Sequence, residues 1–114
     1  MVGSLGYVTV TTAGTPVRAT VNAPTPSQRL GIQSITFQVL PANAGLIYYG
    51  RAGMDKSTGV GVLGILPKPA SATTGPFEEA TISIPVAPAA LNAADFYVDA
   101  TSSGDKVLVR YTVG

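Results

Sequence analysis

Glycines and prolines punctuate this chain from end to end, and between them lie short runs of β-branched and aromatic residues. That cadence predicts strands of a few residues joined by turns, and it leaves little room for a helix of ordinary length. The runs alternate in polarity, as strands with one buried face do. In "YVTVTT" (7–12) Val8 and Val10 share a face. In "VRATV" (17–21) Val17, Ala19 and Val21 read as inward, Arg18 and Thr20 as outward. "IQSITFQVLP" (32–41) sets Ile35, Phe37 and Val39 opposite Ser34, Thr36 and Gln38, with Gln33 out of step.

The next strands follow the same logic. "LIYYG" (46–50) is apolar on both faces, which predicts a central or covered strand. "VGVLGIL" (60–66) is a glycine-punctuated strand stopped by "PKP". "EATISIPV" (79–86) puts Ala80, Ile82, Ile84 and Val86 inward. "APAALNAAD" (87–95) has room for one helical turn at most, given Pro88. "FYVDAT" (96–101) and "KVLVRYTV" (106–113) flank the turn "SSGD" and read as a C-terminal hairpin. In the latter, Val107, Val109, Tyr111 and Val113 face in, and Lys106, Leu108, Arg110 and Thr112 face out. About eight strands with almost no helix predict an all-β fold, a two-sheet antiparallel sandwich of jelly-roll or Greek-key type. The whole chain, 1–114, reads as one domain, with residues 1–6 as an extended N-terminal arm.

Composition narrows the function. The chain has no cysteine, no histidine and no tryptophan. The commonest general base and the commonest transition-metal ligand are thus missing from the sequence. Charged residues are 11% of the chain against 46% hydrophobic, and the net charge is +1. Soluble domains carry roughly 25% charged residues, and near-neutral apolar surfaces associate. No run approaches the ~18 apolar residues of a membrane-spanning helix. The opening "MVGSLGYVTV" lacks the basic region and apolar core of a secretory signal. The expectation is a protein that works in an assembly, with no membrane partner.

Several motifs invite chemistry and fail on spacing. Asp95, Asp99 and Asp105 crowd the C-terminal region. Asp95 and Asp99, four residues apart in extended chain, would lie roughly 13 Å apart, too far for one calcium ion with ligands at ~2.3–2.6 Å. Asp105 follows Gly104 in a turn, where aspartate suits local hydrogen bonding. "GVGVLG" (59–64) matches a dinucleotide fingerprint by letter. It runs into "ILPKP", however, where two prolines forbid the helix that would meet a pyrophosphate. Glu78 and Glu79 are adjacent and point to opposite faces of a strand. No serine sits in a nucleophile motif, and the seven basic residues are scattered. No enzyme, metal site, cofactor or nucleic-acid partner is therefore expected.

What remains is surface. Tyr97, Leu108 and one of the pairs Ile47/Tyr49 or Leu46/Tyr48 fall on faces opposite the expected core. Gathered on one sheet they would form an association patch. The N-terminal segment 1–6 and the loops 22–31, 51–59 and 67–78 are the elements expected to reach neighbours, with Arg29, Arg51 and Lys56 as polar anchors.

The segments "VTVTTAGTPVRATV", "ITFQVLPANAGLIYYG", "GVGVLGILP" and "DFYVDATSSGDKVLVRYTV", in that order, resemble small β-sandwich virion structural proteins of tailed bacteriophages, of the capsid decoration or cement type. The resemblance implies a homodimer or homotrimer that binds the major capsid protein on the outer shell, made in the bacterial host cytoplasm. It defines no site residues. A head–tail or tail accessory protein, or a carbohydrate- or receptor-binding module, remains an alternative.

Overall fold

A computed structural model describes residues 2–69, 77–83 and 91–113. Within them the chain forms β1 (Val2–Thr9), β2 (Val17–Arg18), β3 (Gly31–Ile32), β4 (Ser34–Val39) and β5 (Ile47–Arg51). It continues with β6 (Val62–Leu66), β7 (Glu79–Ser83), β8 (Leu91–Asn92), β9 (Phe96–Ala100) and β10 (Lys106–Thr112). A 3₁₀ turn, Ala93–Asp95, is the one helical element among the described residues, and it falls in the segment that left room for a single turn. The fold is all-β. Four strands in the order β1-β10-β4-β7 form one sheet, β2-β9-β5-β6 form a second, and β3-β8 form a short third, all antiparallel.

The two larger sheets bury their inner faces against each other, as a β-sandwich does. Val8, Phe37, Val39, Val107 and Val109 come from the first sheet; Ile47, Leu66, Phe96, Val98 and Ala100 come from the second. Phe37 sits at the junction. Its ring stacks on Tyr49 at 5.1 Å and meets Phe96 tilted at 6.2 Å, so three aromatics from both sheets lock the layers together. Ile35, Phe37 and Val39 are buried as their alternation predicts, and so are Val8, Val10, Val107 and Val109.

Four expectations need correction or refinement. The segment 1–6 was expected as an arm, yet residues 2–6 belong to β1 and pair with β10. A bulge between Ser4 and Gly6, with Gly6 at φ +75°, absorbs the extra residue there. The strand expected over 17–21 stops at Arg18. The backbone then turns, Val21 N–H donating to Arg18 O, which breaks the alternation. Thr20 is therefore buried, its hydroxyl donating to Pro26 O, while Val21 is exposed.

The third correction concerns the C-terminal hairpin. β9 and β10 do not pair; they lie in different sheets. The "SSGD" turn is a corner between layers. Turn residues specify a reversal of the chain, but not which strand the next segment joins. Here β9 is taken by β2 and β5, and β10 by β1 and β4. Among the described residues, only β5 and β6 are consecutive strands that pair directly. The fourth is a matter of extent. β7 covers the first part of the strand expected over 79–86, with Ala80 and Ile82 packed against the core. Ile84, Val86 and most of the 70–77 loop lie outside the described residues.

Candidate interaction surfaces

The acidic cluster resolves into structural brackets. Asp105 is buried at the corner, where Ala44 N–H donates to its Oδ1 and Gly45 N–H to its Oδ2, both at 2.9 Å. Its backbone carbonyl accepts from Val10 N–H at 2.9 Å. Beside it, Asn43 exchanges two hydrogen bonds with the backbone of Lys106. One aspartate thus ties the end of β1, the 42–45 turn and the start of β10 together. Asp99 is also buried; Gly14 N–H and Ala100 N–H both donate to its Oδ1. It pins the 11–16 turn over the outer face of β9. Asp95 is exposed, and its Oδ1 accepts from Asn92 Nδ2 at 3.4 Å. No group of three acidic, histidine or cysteine side chains close enough to hold a metal occurs among the described residues.

The glycines of "GVGVLG" also have structural work. Gly59 and Gly61 take positive φ in the β5–β6 turn. Gly64 faces Tyr49 across the ladder, and a Cβ there would overlap the Tyr49 ring. The ring can stack on Phe37 only because Gly64 has no side chain. The same device recurs on the opposite sheet, where Gly3 pairs with Tyr111 and lies under its ring.

The outer faces of the two sheets differ in chemistry. Across β10, β4 and β7 the outer face of the first sheet is largely hydroxylic. Ser34 bonds Thr112, Thr36 bonds Thr81 at 2.8 Å, and Arg110 forms an ion pair with Glu79. The second sheet is covered on its β2–β9 side by Asp99 and its turn, and by Arg18, whose guanidinium donates twice to the Tyr97 hydroxyl. Its β5–β6 side is bare and apolar. Tyr48 pairs with Ile65, and Leu63 lies on the same strand, bulged opposite Gly50. Leu63 and Ile65 are each about half exposed, and Leu46 and Val60 nearby in sequence are exposed as well. No charged residue occurs between Ser57 and Pro67.

Each candidate surface residue can now be placed. Of the two alternative pairs, Leu46/Tyr48 points outward. Ile47 is completely buried and Tyr49 packs on Phe37, so neither is available to a partner. Their position follows from β5 being central, with its inner face set by the core. Tyr97 and Leu108 do not share a patch, since they belong to different sheets; Tyr97 is engaged by Arg18, and Leu108 sits half-buried opposite Tyr7. Arg51 lies over the Phe96 ring at 5.9 Å. Lys56 borders a recess of about 370 Å³ together with Asp55 and Asp99. Arg29 lines a cavity of about 500 Å³ at the end of the sandwich.

Two features escaped the sequence reading. Leu63 and Ile65 alternate in an uncharged run, the one local signal of an exposed apolar face in a strand that otherwise reads as glycine-punctuated. The cavity, between β1, the 20–30 loop and Tyr111, had no local signal, because its walls come from three distant segments. No helix of the described residues is long and apolar enough to cross a membrane. Comparison with family models, curated proteins and solved structures finds no match, so the functional reading rests on geometry and sequence.

Proposed function

We propose that this chain is a virion structural protein of tailed bacteriophages, of the capsid decoration type, which self-associates and binds a repetitive outer shell through contacts with the major capsid protein. Its work is adhesion, not turnover. The observation that carries the reading is the bare apolar face of β5–β6, formed by Tyr48, Leu63 and Ile65 in a chain unusually poor in charge. A free monomer gains nothing from such a face, whereas an oligomer buries it. The virion setting comes from the sequence resemblance. Many weak contacts repeated over a lattice would add by avidity, so no single pocket is required.

The test is native mass by light scattering, followed by co-sedimentation with expanded phage shells. A dimer or trimer at micromolar concentration that sediments with shells is the expected result. A clean monomer at that concentration would remove the basis of the reading. Association with tails rather than shells would move the chain to the head–tail or tail accessory class.

A further inference from the structure

An open sheet ends in edge strands, whose unpaired N–H and C=O groups invite a further strand. Three of the four edges of the two larger sheets are blunted. On β1, Asn22 Nδ2 donates to Leu5 O and Tyr7 O, and the strand bulges at Gly6. β2 is only two residues long. β7 carries Glu79, ion-paired with Arg110. β6 has no such cover. Among the described residues, Val62–Leu66 bonds only to β5 and to its own turn. No charged residue occurs from Ser57 to Pro67. The bulge at Leu63 does not break the alternation: Leu63 and Ile65 are exposed, while Val62, Gly64 and Leu66 are less so.

We infer that β6 pairs antiparallel with β6 of a second copy about a two-fold axis, joining two four-stranded sheets into one of eight. The inference rests on the self-association proposed above and supplies its geometry.

The strand is complementary to its own two-fold image. Gly64 is the midpoint of Val62–Leu66, so full antiparallel overlap sets Gly64 beside Gly64 of the second copy. Leu63 then lies opposite Ile65 of the second copy, and the symmetry repeats the pair. Opposed apolar side chains are what stabilise a strand pair. At the axis Gly64 has no side chain, and the Tyr49 ring already fills the space where its Cβ would be. The two backbones can therefore approach closely there.

Charge selects the direction and the partner. Lys56 and Lys68 bracket the uncharged run. Antiparallel overlap carries Lys68 to the exposed Val60 of the second copy and sends the two Lys68 side chains to opposite ends. A parallel, in-register pair would set lysine against lysine, and like charges directly opposite are destabilising. A charged strand seated on β6 would find no partner for its charge, whereas a second β6 brings none.

The test is NMR of the full chain from dilute to concentrated solution. It combines amide exchange with isotope-filtered NOEs from a mixture of labelled and unlabelled protein. The expected result is a dimer with NOEs between Leu63 methyls of one copy and Ile65 methyls of the other. Alternate β6 amides should exchange roughly tenfold more slowly once ~90% of the chains are dimeric, because only the remaining tenth exposes the edge. Leu63→Lys should abolish both signals, and Tyr7→Lys, on the edge closed by Asn22, should leave them intact. A clean monomer removes the pairing together with the self-association it rests on. A trimer, or a dimer whose β6 amides stay unprotected, overturns the edge pairing while self-association stands. Leu63-to-Leu63 NOEs without Leu63-to-Ile65 NOEs overturn the register, and β6 protection that appears only on adding phage shells overturns the choice of a second copy. Undiminished protection in Leu63→Lys also counts against the pairing.

Discussion

Identical side chains do different work here according to what surrounds them. Asp105 is buried and accepts from the backbone amides of Ala44 and Gly45; Asp95, ten residues earlier, is exposed and loosely bonded. Asp105→Ala is therefore expected to cost roughly 3 kcal/mol, from two lost charge-assisted bonds and two orphaned N–H groups. Asp95→Ala should stay within about 0.5 kcal/mol; urea denaturation of both variants measures the contrast. Gly64 makes a second residue-level case. Replacing a strand glycine by alanine ordinarily helps by about 0.5–1 kcal/mol. At Gly64 the sign inverts, because the new Cβ displaces the Tyr49 ring from Phe37, and overpacking costs about 1–3 kcal/mol. In a Tyr49→Ala background the Gly64→Ala penalty should vanish, a coupling that a double-mutant cycle reads directly.

Strands inherit their place from partners that are distant along the chain. Residues 1–6 read as an arm, yet β1 forms one flank of β10 and contributes Leu5 and Val8 to the core. Deleting residues 1–6 is expected to cost at least about 3 kcal/mol, since the loss of buried Leu5 alone costs ~2–5. An unattached arm would leave the denaturation midpoint unchanged, so the truncation distinguishes the two. The same dependence explains why β10 was well placed in its inside–outside pattern but misassigned in its pairing. Its valines alternate locally, whereas its neighbours β1 and β4 are separated from it by most of the sequence. The Asp105 bracket that directs the corner joins residues 60 positions apart, and nothing near Asp105 announces it.

For the whole molecule, the radius of gyration of 13.3 Å equals the ~13 Å of a compact domain of this length. The assembly reading belongs to the β5–β6 side of the second sheet, where Leu63 and Ile65 are about half exposed. Ile65→Lys is expected to convert the proposed oligomer to a monomer in light scattering, with stability changed by less than about 1 kcal/mol because Ile65 is half exposed. Leu108→Lys, on the opposite sheet, should leave the native mass unaltered. Loss of oligomer from both, or from neither, would sever the link between the β5–β6 face and association.

Side-chain alternation is a property of each strand alone, with period two, so the sequence by itself determined which residues of β4 and β10 turn inward, that the fold is all-β, and that charge is scarce. Pairing, by contrast, is decided by hydrogen-bonding partners brought from afar. Only the tertiary structure could place β9 and β10 in different sheets, turn Ile47 inward and Tyr48 outward, bury Asp99 and Asp105 as brackets, and gather Tyr111, Asn22 and Arg29 around one cavity. A single strand carries no record of which surface will cover it. That is why the core was legible and the surfaces, where function resides, were not.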